Sequence, residues 1–95
     1  MDKSYILNEL YNIIIERKKL KPENSYVVKK FNEGIDSILK KIGEEATEVI
    51  IAGKNGKQDE ISWEIADLIF HLWLLLGYYD LTPEIVYDRL IERRK

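Results

Sequence analysis

Glu44, Glu45 and Glu48 crowd into one short stretch, KKIGEEATEVI, and after fifteen intervening residues Glu64 and Asp67 form another acidic pair in EIADLIFHLWLLL. Like charges this close repel, so something must gather them. Glu45/Glu48 and Glu64/Asp67 are both spaced i,i+3, and side chains at that spacing on a helix face the same way. Two such pairs facing each other make a cage of hard oxygen ligands. The chain has no cysteine and a single histidine, which argues against zinc. Oxygen-only ligation suits Mg²⁺, with Mn²⁺ as a substitute.

The elements that carry these residues set what the carboxylates can do. With about 100° per residue and Ile35 at zero, Ile35, Ile38, Leu39, Ile42, Ala46, Val49 and Ile50 lie within about 60° of one line. Glu44, Glu45 and Glu48 fall at about 180°, 280° and 220°, off that stripe. Taken alone this is a solvated acidic face, although Ile51, at about 160°, implies partial cover. The second block says more. From Glu64 to Leu76 the only polar side chains are Glu64, Asp67 and His71, which share one side at about 300°, 240° and 280° from Ile61. A helix apolar on nearly every other side is buried, so its polar stripe faces the interior or a cleft. A carboxylate taken there without compensation costs several kcal/mol or more. It must be protonated, paired or metal-bound. Lys41, Lys54 and Lys57 are close in sequence, but none is on that helix. A divalent cation is the economical solution.

The rest of the chain predicts an all-α protein, an antiparallel bundle of four to five helices joined by short loops. Leu7, Leu10, Tyr11 and Ile14 have helical spacing after a Ser4 cap, in a helix that ends before Lys21-Pro22. Ser25 caps a short helix that stops at Gly34. The next helix runs from Asp36 to about Ala52, broken by GKNGKQ with its Asn55-Gly56 turn signal, so that Lys54 and Lys57 lie in a loop. Another runs from Ile61 to Leu76 and ends at Gly77. In the last, Thr82 caps, Pro83 takes the first helical position and Leu81 staples onto Val86. No strand, repeat or low-complexity tract is evident.

Length and composition set the outer bounds. Ninety-five residues imply one domain over 1–95, with 45% apolar and 34% charged residues as in a soluble globular chain. A core this small is marginal alone, so a partner subunit would help. The net charge is −2 with acids and bases mixed, which suggests neither a nucleic-acid groove nor a membrane surface. MDKSYILNEL does not read as a signal peptide. LIFHLWLLLGYY is too short to span a bilayer and contains a histidine. The expectation is a cytoplasmic protein.

These motifs carry a resemblance. Glu44-Glu45-x-x-Glu48, fifteen residues, then Glu64-x-x-Asp67 resembles the acidic signature of the all-α nucleoside triphosphate pyrophosphatases, the MazG-like superfamily. KKIGEEATEV, EIADLIFHLWLLL, SYVVKKFNEG and RLIERR together resemble more closely the phosphoribosyl-ATP pyrophosphatase family of histidine biosynthesis. Phe70 stands where that family often has tyrosine, and Phe31 is less usual in the upstream block. The likeness covers roughly Asn24 to Arg94. It implies a phosphoribosyl-ATP diphosphatase, a hydrolase in which water attacks a phosphorus of the triphosphate and cleaves the α–β bond. Phosphoribosyl-AMP and pyrophosphate are released. It also implies a Mg²⁺-dependent helical homodimer, which the apolar Glu64 helix fits independently. Many relatives are fused to a cyclohydrolase domain; this chain has no room for one and would stand alone.

On this reading Glu45, Glu48, Glu64 and Asp67 are metal ligands, and Glu44 is a further ligand through water or the general base. Candidate substrate-binding residues are Lys41, Lys54, Lys57, His71, Arg89 and Arg93, each with a plainer alternative. Lys41 is placed for a helix-surface pair with Glu45. Lys54 and Lys57 also fit as solvated loop lysines. His71 is a donor orienting a carboxylate or a hydrogen-bonded core residue. Arg89 and Arg93 are phosphate ligands or, with Arg94, a cationic last turn favoured by the helix dipole. Trp63 and Trp73 are core or interface residues. Two other functions compete. One is a housekeeping pyrophosphatase acting on nucleotides such as dCTP. The other is a helical interaction module with an acidic stripe, which the apolar surroundings of Glu64 and Asp67 disfavour.

Overall fold

The computed structural model describes residues 1–95 as five helices with no strand: α1 Ile6–Leu20, α2 Tyr26–Glu33, α3 Ile35–Asn55, α4 Gln58–Tyr78 and α5 Glu84–Arg93. The helical spacing in α1 buries Tyr11 and Ile14. Its N-cap is Tyr5 rather than Ser4, and no side chain caps it. Ser25 does cap α2, its Oγ accepting from the Val28 N–H at 3.3 Å. Gly34, at φ 95°, closes α2 and opens α3 at once. This tight junction is braced by Lys30, whose Nζ reaches Glu33 and Ser37 at 3.1 Å each.

The central pair is longer than its apolar pattern suggests. α3 continues past Ala52 to Asn55, so Lys54 lies in its last turn rather than in a loop. Gly56, in the left-handed conformation at φ 74°, ends it and donates to the Ala52 carbonyl. Only Gly56 and Lys57 separate the two helices, so they fold back as an antiparallel hairpin. α4 also runs through Gly77, which does not stop it. A Cβ there would meet Phe31 Cζ at 3.2 Å and Ile14 Cγ2 at 3.3 Å, so this glycine lets α1 and α2 approach α4. Lys18 seals the same end, donating to the Gly77 carbonyl at 2.7 Å and to Asp80 at 3.0 Å.

Tyr11, Ile14, Val27, Ile38, Trp73, Leu74 and Leu76 form the core, so α1 to α4 all contribute to it. Trp73 donates its indole N–H to the Leu7 carbonyl at 2.8 Å. α5 joins through Val86 and Tyr87, which pack on that core. Its first turn differs from expectation: Pro83 is the N-cap, and Thr82 makes no side-chain cap. By length and composition α4 is long and apolar enough to cross a membrane, unlike the shorter run within it. Here it is the helix against which α1, α2 and α3 pack. Trp63, on its N-terminal half, is 69% exposed, in contrast to Trp73.

Candidate metal centre

Because α3 and α4 form a hairpin, residues at matching distances from Gly56 face each other. Glu45 on α3 therefore meets Glu64 and Asp67 on α4, and one carboxylate oxygen from each lies within 4.8 Å of the others. Glu45 is buried, Glu64 half-buried and Asp67 exposed. The helical wheel placed Glu45 off the apolar stripe. In the structure it lies on the packed side of α3, between the buried Ile38 and Ala52. The other edge of that stripe, Leu39 and Ile50, is exposed. The stripe is wider than one neighbouring helix can cover.

Glu48 is outside the tight group but beside it. With Ile51, Ala52, Asn55, Glu60 and Glu64 it lines a cavity of about 190 Å³. Glu60, one turn before Glu64, adds an acid to this wall that the motif-based reading passed over. Its four-residue offset from Glu64 was the available signal. The environment holds the Glu64 carboxyl above the usual carboxylate range. Lost hydration is the first cause, followed by the negative charges of Asp67, Glu45, Glu48 and Glu60. A bound cation would relieve that crowding, and a cluster of hard carboxylate oxygens is a fitting donor set. The cluster can hold a metal ion.

Glu44 stands apart, half-exposed and 3.7 Å from Lys41 Nζ. Lys41 also reaches Glu45 Oε1 at 3.4 Å. Burial pulls the Lys41 ammonium down, but the bond to Glu45 and the charges of Tyr26, Glu45 and Glu44 outweigh it and leave it raised.

Of the readings open for His71, the structure matches the hydrogen-bonded core residue rather than the substrate ligand. His71 is buried; Nδ1 lies 2.7 Å from the Asp67 backbone carbonyl and Nε2 lies 2.8 Å from the Tyr26 hydroxyl. A carbonyl only accepts, so Nδ1 donates; in the neutral ring Tyr26 then donates to Nε2. Both nitrogens are committed and neither is free for phosphate. His71 instead fixes the turn that carries Asp67 and ties it to α2, with Tyr26 and Phe70 packed around its ring. Lys54 and Lys57 are exposed at the hairpin tip, and neither forms an ion pair with the cluster. Arg89 and Arg93 lie on exposed α5, where Arg89 pairs with Glu92 at 3.4 Å. The structure does not bring them to the carboxylates.

Comparison with known proteins bears on the same residues. The family profile described as Phosphoribosyl-ATP pyrophosphohydrolase matches residues 7–94. A phosphoribosyl-ATP pyrophosphatase of Geobacter sulfurreducens is 57% identical over 88 residues, covering 93% of this chain and 82% of that protein. One from Pelotomaculum thermopropionicum is 45% identical over 95 residues, covering 100% and 97%. The Histidine biosynthesis bifunctional protein HisIE of Bacillus subtilis is 49% identical over 92 residues, 97% of this chain but 44% of that protein.

Proposed function

The chain belongs to the phosphoribosyl-ATP pyrophosphohydrolase family, and from that premise we infer that it hydrolyses phosphoribosyl-ATP to phosphoribosyl-AMP and pyrophosphate in histidine biosynthesis. The observation that carries this reading is the meeting of Glu45, Glu64 and Asp67 across the α3–α4 hairpin, in a chain matched to the family over residues 7–94.

Glu45, Glu64 and Asp67, with Glu48 beside them, would hold Mg²⁺, or Mn²⁺ in its place. When bound, the cation neutralises phosphate charge and orients the pyrophosphate leaving group. The residues of this chain supply the rest. Glu44, exposed and paired with Lys41 at 3.7 Å, would take the proton of the attacking water or hold a ligand through water once substrate and metal are in place. As the new phosphorus–oxygen bond forms, the oxygen bridging the α and β phosphorus atoms departs with pyrophosphate. Tyr26 and His71 keep the Asp67 turn in place. Lys54, Lys57, Arg89 and Arg93 are solvated cations at the periphery, and contact with phosphate would require the substrate or a second subunit to reach them.

The enzyme is a cytoplasmic homodimer of single-domain subunits in this reading. Its support is physical: only 12 of 95 residues are buried, while Leu39, Ile50, Ile51, Trp63 and Ile65 are exposed on the hairpin that carries the site. A second copy would cover part of this exposed apolar surface. The test is pyrophosphate release from phosphoribosyl-ATP, ATP and dCTP at equal concentration. Phosphoribosyl-ATP should be cleaved far faster than the others. Equal rates on dCTP would favour a housekeeping nucleotide pyrophosphatase, and no release from any of them would refute hydrolysis.

A further inference from the structure

Lys41 is the one base paired with the acidic residues of the site, at 3.4 Å from Glu45 and 3.7 Å from Glu44. The other ion pairs, Lys18–Asp80, Lys30–Glu33 and Arg89–Glu92, lie elsewhere. The Glu45 carboxylate thus has two claims on it. It belongs to the group whose oxygens lie within 4.8 Å of one another, and it is also the partner of the Lys41 ammonium. Lys41 and a divalent cation drawing on the same buried carboxylate would repel each other. That repulsion weakens the hold of each on Glu45.

Lys41 is built to give way. Its side chain is 33% exposed against 12% for Glu45, and its charge rides on a flexible four-carbon stem. Swinging out returns a strongly hydrated group to water. His71 is held at both nitrogens, so it does not compete for an incoming anion. Resting on the metal-dependent reading above, we propose that Lys41 is an exchangeable counter-ion: it neutralises Glu45 in the metal-free protein, releases it when the divalent cation binds, and then engages a phosphate group of the substrate. The exchange couples metal loading to substrate binding, because the ammonium becomes available only once the carboxylate has another partner.

This predicts effects of opposite sign at one residue. Lys41→Met keeps most of the stem and removes the charge; Lys41→Gln is a second, polar replacement. Mg²⁺ binding to the substrate-free protein is measured by calorimetry, with folding checked by circular dichroism. KM and kcat for phosphoribosyl-ATP are then measured at saturating Mg²⁺. Mg²⁺ should bind about three- to tenfold tighter to the variants, since a competing positive charge is gone. KM should rise about tenfold or more with a smaller change in kcat, the mark of lost substrate binding. Unchanged or weaker Mg²⁺ affinity in the folded variants overturns the exchange. So does tighter Mg²⁺ with unchanged KM, because the ammonium would then never reach the phosphates. A parent protein that binds no Mg²⁺ and turns over fully in EDTA brings down the metal-dependent reading and this proposal with it. A parent that binds Mg²⁺ as its variants do brings down this proposal alone.

Discussion

At Glu64, lost hydration and the charges of Asp67, Glu45, Glu48 and Glu60 all push the same way, holding its carboxyl above the ordinary range. The sign of the consequence follows from linkage. In the interval between the ordinary and the raised value, the folded chain binds the Glu64 proton more tightly than the unfolded chain. Stability in EDTA from this group is therefore present at low pH and is lost as pH rises through the raised value. Glu64→Gln should lack that loss. Urea unfolding in EDTA, from about pH 4 to 7 around the carboxylate range, should show parent stability falling relative to the variant as pH rises. A parallel pair of curves would contradict it. Asp67→Asn tests the same crowding from the other side. It removes one of the charges around Glu64, so without metal it should be at least as stable as the parent. It should also lose most of the Mg²⁺-induced rise in melting temperature, because a cation that binds only the native state stabilises by linkage. Equal Mg²⁺ shifts in both proteins would mean these carboxylates do not hold the ion. Glu45, Glu64 and Asp67 were legible in the sequence as members of i,i+3 pairs, although Glu48 stays outside their tight group and Glu60 was passed over. The burial of Glu45 was not, because the wheel locates an apolar stripe but not which part of it a neighbour covers.

The helices show where sequence signals are strong and where tertiary contacts override them. Ser25 and Gly34 delimit α2 as their chemistry dictates, since the cap bond and the positive φ are local properties. The extension of α3 through Lys54 and the passage of α4 through Gly77 were not legible. Nothing in GKN forbids helix, and glycine in a helix costs only about 1 kcal/mol relative to alanine. The reason for Gly77 is non-local: Phe31 and Ile14 occupy the space a side chain would need. Gly77→Val forces methyl groups into that contact and should cost about 1–3 kcal/mol, read as a lower urea midpoint. Gly77→Ala should be milder, since a helix-propensity gain of up to about 1 kcal/mol opposes the crowding. A valine variant as stable as the parent would show that α1 and α2 do not press on α4 there. His71 belongs at this scale too. Its position one turn after Asp67 was visible, but its Tyr26 partner is 45 residues away in the chain and becomes apparent only when α2 docks on α4.

Across the whole molecule, a small core and a site on a half-covered hairpin point the same way. Trp63, 69% exposed, is a large apolar side chain left to water unless another copy packs on it. Light scattering at micromolar concentration should give a dimer or a larger assembly, and Trp63→Glu should shift it toward monomer. A well-folded parent monomer would contradict the second copy. Which parts of α4 stay open was not legible in the sequence, because it required knowing that α4 is packed on α1, α2 and α3 but exposed at Trp63 and Ile65. The central claim is that the carboxylates of α3 and α4 hold the cation that makes the hydrolysis run. Its most direct test is a Mg²⁺ titration of pyrophosphate release from phosphoribosyl-ATP by the parent, Glu45→Gln and Asp67→Asn. The parent should be inactive in EDTA and saturate with Mg²⁺, and each variant should need about tenfold more Mg²⁺ or better to reach a lower plateau, the scale on which disturbed metal sites respond. Release that persists in EDTA, or variants that follow the parent's Mg²⁺ curve, would contradict it.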